Sequence, residues 1–252
     1  MSQVPPPLPP GASAPLEPHE GSGAGVRWNG WDIVLVFLIG LGIGVLAIVA
    51  VLLLIRAFDF DLSQTSQVGL ASVVIYVAVS LAGWLLVVKR REATASDVGF
   101  KWVGAGPVLL SIPVLLGLMA LTAVILVGMD ALIGGVPSAQ EQVAPDESSL
   151  QSSDLVWLLL AGSVAAPVTE EFFFRGLLYR YLQARSGVWV GALVSSALFA
   201  VFHVVPALMP ALFVFGLVQV WLVQRYDSLY PPILLHALNN GVLLVAVYAE
   251  LS

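Results

Sequence analysis

Long apolar runs separated by short polar connections set the pattern of this chain, at 31–55, 67–88, 107–129, 155–182, 188–204, 207–224 and 230–249. Most reach the roughly 18–25 residues that an α-helix needs to cross the hydrocarbon core of a bilayer. No stretch shows the ~10-residue alternation of a transmembrane β-barrel strand. The pattern predicts an all-α, polytopic transmembrane helix bundle of about seven spans (six to eight), the fifth and sixth being the shortest. Composition points the same way. The chain is 59% hydrophobic and only 10% charged, whereas charged residues make up roughly a quarter of a soluble domain.

Ahead of the first run, residues 1–26 hold seven of the sixteen prolines, with Gly, Ala, Ser and Glu between them. Such a tract buries too little apolar area to fold and is expected to be a disordered, partly polyproline tail. It lacks the basic n-region and cleavage pattern of a signal peptide, so the first span is expected to remain in the mature protein. Residues 27–252 then form a single transmembrane helical domain. Lys89, Arg90, Arg91 and Lys101 lie between spans two and three, Arg180 and Arg185 after span four, and Arg225 after span six. Connections 58–66 and 130–154 carry Asp and Glu without Lys or Arg. Basic loops mark the inner side, which puts the N-terminus in the cytoplasm, the C-terminus outside, and the protein in the cell membrane. Trp28, Trp31, Trp84, Trp102 and Trp157 stand near span ends, where an aromatic belt is expected. Gly40, Gly42 and Gly44 give span one a small-residue face suited to close helix packing within the bundle.

The absence of cysteine rules out disulfides, thiolate metal sites and cysteine nucleophiles. With no basic stripe, nucleic acid has no electrostatic footprint to bind. The expected partners are the bilayer and a peptide or protein substrate; oligomeric state is not legible.

Few ionisable residues fall inside the spans: Glu170, Glu171, Arg175, His203 and His236, with Asn239 and Asn240 beside the last. Each charge at membrane depth costs on the order of 2.5–3.5 kcal/mol on insertion scales. All lie in the last four spans, implying a scaffold half and a catalytic half at 155–249. Residues four apart share a helix face. Glu171 can therefore pair with Arg175, Phe199 sits with His203, and His236 with Asn240. Glu170 points about 100° away from Glu171 and is free to face a cavity with His203, His236 and Asn240. Pro167, one turn before the carboxylates, is expected to kink span four and free carbonyls for other hydrogen bonds. Depth poses a difficulty. At 1.5 Å per residue, His236 lies about 9 Å from the basic end of span seven, and His203 more than about 20 Å into span five. Tilting, the prolines or a re-entrant fifth segment must reconcile them.

Glu170-Glu171-xxx-Arg175, Phe199-xxx-His203 and His236-xxx-Asn240, in that order on separate apolar helices, resemble the signature of the CPBP intramembrane proteases, the CAAX prenyl protease 2 and abortive-infection family. The resemblance covers roughly 155–249 and implies a CAAX-protease-like core in the last four spans. It implies an intramembrane endopeptidase in which Glu170 and His203 activate a water while His236 and Asn240 receive the oxyanion. Glu171, Arg175 and Phe199 would support them. An apolar surround suits Glu170 to the work of a general base. Glu170, His203 and His236 also make a His₂Glu set of the kind that binds zinc, and family members have been described as metalloendopeptidases. Without a His-Glu-x-x-His helix, a metal-free mechanism with no cofactor is preferred, zinc being the alternative. Two rival functions use similar residues: a proton- or ion-coupled transporter, and a catalytically silent immunity or scaffold protein of the same fold. The missing internal repeat and the His–Asn pair argue against the first, and the intact motifs against the second.

Overall fold

The computed structural model describes residues 26–138, 141 and 150–252. Residues 1–25 of the proline-rich tail lie outside them. Every regular element among the described residues is helical. Six helical stretches are long and apolar enough to cross a membrane: α1, Gly30–Ala57; α2, Gln64–Lys89; α3, Ala105–Ile133; a stretch Ser152–Phe202; α6, Pro206–Tyr226; and α7, Tyr230–Leu251.

The stretch Ser152–Phe202 is two helices rather than one. Gly187 has φ 83° and ψ 170°, a left-handed conformation that glycine adopts without a steric penalty. The chain reverses there. The rings of Phe174 and Phe199 lie 5.3 Å apart, although 25 residues of straight helix would separate them by roughly 37 Å. The two limbs, α4 (152–186) and α5 (188–202), correspond to the fourth and fifth predicted spans. The first and last described residues lie near opposite ends of the bundle. Trp28 donates to the carbonyl of Leu177 at one end of the bundle, whereas Leu251 accepts from the amide of Leu150 at the other.

Local chemistry fixes where helices begin. The Asn29 side chain accepts from the Asp32 amide at 3.1 Å, and the Asp32 carboxylate accepts from the Asn29 amide at 2.8 Å, a reciprocal N-cap. Arg91 then clamps the buried Asp32 through Nε and Nη2. At the same end Arg180 and Lys101 share Asp227, and Arg27 faces Asp97. Arg27, Arg91, Lys101 and Arg180 thus gather at one end of the bundle, while Arg56 lies in the last turn of α1. Trp28 is buried within that end, not displayed on an aromatic belt. Trp31 and Trp102 are 76% and 64% exposed.

Glycine brings α1 against α2. A Cβ at Gly40 would stand 2.6 Å from Val79 Cα, and one at Gly44 would stand 3.1 Å from the Ile75 side chain. Gly42 faces open space. The small-residue face therefore serves packing inside the chain.

Candidate active site

The carboxylates sit on a short α-helical piece of α4, Ala166–Glu171, between two π-helical segments, Leu160–Ala165 and Phe172–Tyr179. Single π turns inside α-helices often mark functional sites. Pro167 explains part of this winding. The Ala166 amide reaches back five residues to Ala161. In the same register residue 167 would serve the Gly162 carbonyl, but proline has no N–H to give. Asn240 on α7 supplies the missing donor, its Nδ2 lying 2.8 Å from the Gly162 oxygen. The predicted freeing of a carbonyl by Pro167 takes this form, and it commits one of the two amide hydrogens of Asn240 to structure. Asn239 Nδ2 donates to Asn240 Oδ1 at 3.3 Å.

Glu171 points into the bundle and is fully buried, as is Arg175. Its Oε1 accepts from Arg175 Nη1 at 3.3 Å, from Gln219 Nε2 at 3.2 Å and from His236 Nδ1 at 2.9 Å. The expected Glu171–Arg175 pair is present, but it is only one part of a four-residue knot spanning α4, α6 and α7. Arg175 also donates to the Gly216 carbonyl at 3.2 Å and lies 4.4 Å above the centre of the Phe199 ring, a cation–π contact. Gln219 Nε2 donates in addition to the Pro232 carbonyl at 3.0 Å. A carboxylate, a carbonyl and an aromatic face partner this deep guanidinium, while its Nε has no hydrogen-bond partner.

Glu170 turns the other way, towards α2 and a cavity. Its side chain is 16% exposed. Tyr76 donates its hydroxyl hydrogen to Glu170 Oε1 at 3.1 Å. The other oxygen, Oε2, is buried without a hydrogen-bond donor and stands 3.8 Å from His236 Nε2. The cavity, about 430 Å³, is lined by Glu170, Tyr76 and His203 among apolar side chains that include Phe37, Phe173 and Phe202.

His203 caps the C-terminus of α5. Its Nδ1 lies 2.8 Å from the Phe199 carbonyl. A carbonyl oxygen only accepts, so Nδ1 carries the hydrogen and Nε2 keeps its lone pair. By the same logic the Glu171 carboxylate fixes the Nδ1–H of His236. His203 stands roughly 22 Å along α5 from residue 188, the depth expected from the sequence, at the helix end beside the cavity. The two imidazoles do not meet directly. Phe199 touches both, with ring centres 4.7 Å from His203 and 5.9 Å from His236.

The structure thus brings Glu170 and His203 to one cavity and sets His236 between the two carboxylates. Asn240 is turned to Gly162 rather than to Glu170. Among the described residues no group of three or more His, Asp or Glu side chains is placed to hold a metal ion. The alternative zinc set Glu170, His203 and His236 does not assemble, and a metalloendopeptidase assignment finds no support in this donor arrangement.

Two contributors were absent from the sequence reading. Gln219 is a lone amide in the apolar run of α6, and a polar residue at membrane depth was a usable signal for it. Tyr76 lies on α2, in the half expected to be scaffold alone. A mid-span tyrosine is unusual, since tyrosines favour membrane interfaces, but nothing local ties it to a carboxylate 94 positions away.

Residues 152–242 match the family described as type II CAAX prenyl endopeptidase Rce1-like. The match spans 91 of 252 residues (242 − 152 + 1) and includes all three motifs. No curated protein and no solved structure matches the chain. The protein is an integral membrane protein whose segment 152–242 is similar to the Rce1-like type II CAAX prenyl endopeptidases.

Proposed function

We propose that this protein is an intramembrane endopeptidase in which Glu170 and His203 activate a water for attack on a peptide bond. The observation that carries this reading is the meeting of an α4 carboxylate and an α5 imidazole on one cavity with apolar walls. A water there can give one hydrogen bond to the Glu170 carboxylate and one to the His203 Nε2 lone pair. Glu170 takes the proton as the hydroxide adds to the scissile carbonyl, then returns it to the leaving amine. The family resemblance assigns the oxyanion to His236 and Asn240; with its Nδ1–H given to Glu171, His236 can donate to an oxyanion from Nε2 only as the imidazolium, whereas Asn240 retains one amide hydrogen after serving Gly162. An oxyanion donor of this kind lowers the barrier by roughly 2.7–4 kcal/mol.

Phe37, Leu41, Ile75 and Val79 on the cavity wall suit a substrate carrying an apolar group, including the prenylated C-terminus named in the family's description. The basic end of the bundle would face the cytoplasm by the positive-inside rule, placing the N-terminus there in the cell membrane.

Purified full-length protein assayed against a quenched peptide library tests the reading. Glu170→Gln and His203→Ala should each lose cleavage by about 10²-fold or more. Parent-level cleavage by both variants would sink it. A chelator should leave the rate unchanged, and metal analysis of the same preparation should show no stoichiometric zinc.

A further inference from the structure

We propose that Tyr76 is a positioning residue for the reaction, holding the Glu170 carboxylate at the wall of the cavity where it meets the water. This rests on the functional reading above and extends the site to α2, outside the matched segment 152–242.

A carboxylate accepts and does not donate, so the Tyr76 hydroxyl is the donor in its 3.1 Å contact with Glu170 Oε1. That bond occupies one oxygen. The other, Oε2, is left buried with no donor, on the side where His236 Nε2 stands 3.8 Å away. The Tyr76 hydroxyl is thus the hydrogen bond that orients the carboxylate.

Tyr76 is itself held against α4 by its own backbone. Thr169, the residue before Glu170, donates its hydroxyl to the Tyr76 carbonyl at 3.1 Å. Its single hydroxyl hydrogen being used, Thr169 Oγ1 accepts from Ser80 Oγ at 2.8 Å. Glu170 is therefore registered to α2 twice, once through the backbone of its neighbour and once through its own side chain.

The kind of donor matters. Glu171 is held by a guanidinium, an amide and an imidazole, a set suited to keeping it a fixed anion. Glu170 is held by one neutral phenol, which orients a carboxylate without adding a full positive charge beside it. A base that must gain and release a proton in each cycle needs that kind of partner.

The test compares Tyr76→Phe with the parent, in the full chain, by steady-state kinetics and infrared spectroscopy. Phenylalanine keeps the ring and removes only the donor. The expected result is a kcat lower by roughly tenfold or more, short of the about 10²-fold that misplacing a reacting group brings, with KM unchanged. The carboxylate band assigned to Glu170 by its loss in Glu170→Gln should shift in Tyr76→Phe, which a merely structural tyrosine would not produce. If Tyr76→Phe does not fold, 3-fluorotyrosine at position 76, a stronger donor of nearly the same shape, should shift that band in the opposite direction. An unshifted band in the folded variant overturns the proposal, as does unchanged kcat in Tyr76→Phe while Glu170→Gln is inactive. Retained cleavage by Glu170→Gln would remove the functional reading and this inference together.

Discussion

At the scale of single residues, two adjacent carboxylates are sorted by what surrounds them. Glu171 is fully buried against Arg175, Gln219 and His236, and Glu170 faces a cavity with Tyr76 as its donor. Removing one member of a buried ion pair leaves the other uncompensated, at about 3–5 kcal/mol, whereas an apolar replacement of both is often close to neutral. Glu171→Leu should therefore lower stability by about that amount. Glu171→Leu with Arg175→Met should recover most of the loss. Unfolding of the purified variants in detergent measures both, and equal destabilisation of the single and double variants would contradict the pairing.

At the scale of elements, α4 depends on a helix that is not its sequence neighbour. Pro167 removes the N–H due to the Gly162 carbonyl, and Asn240 of α7 replaces it. Asn240→Leu leaves that carbonyl unpaired and should cost roughly 1–3 kcal/mol. In the Pro167→Ala background a backbone N–H is restored, and the same substitution should cost distinctly less; a double-mutant cycle on unfolding midpoints reads the coupling. Gly187 is the second element-scale feature. Its φ of 83° and ψ of 170° place Gly187→Ala in a region essentially reserved to glycine, at a cost of roughly 1–3 kcal/mol. Strain at the turn between α4 and α5 should lower the unfolding midpoint. It should reduce cleavage as well, because that turn sets how His203 meets the cavity lined by Glu170.

At the scale of the molecule, a bundle whose ends are chemically unlike is threaded so that the two chain ends part company. Trp28 lies beside Leu177 at the basic end, and Leu251 beside Leu150 at the other. At that other end Asp154, 2% exposed, accepts from the hydroxyls of Ser63 and Ser66. The absence of native cysteine makes single-cysteine labelling clean. A cysteine replacing Arg27 should react with a membrane-impermeant maleimide only from the inner face of oriented vesicles, and one replacing Ser252 only from the outer face. Labelling of both from one face would contradict the odd number of passes.

Much of this was legible in the order of residues along the chain. Apolar run length, basic connections and three spaced motifs are local properties, readable without knowing which helix touches which. They determined the membrane class, the seven spans, the concentration of polar residues in 155–249 and the Glu171–Arg175 pair, which one helical turn fixes. The tertiary structure decided the rest. It gave Glu170 a tyrosine from α2, gave His236 to Glu171, and turned Asn240 to Gly162. It also placed His203 at the end of α5 beside the cavity, with Phe199 standing between it and His236. The physical reason is rotation and offset. One residue turns a helix face by about 100° and shifts it by 1.5 Å, so interhelical partners depend on how whole helices are docked. That docking is set by packing such as Gly40 on Val79, and no single segment carries it.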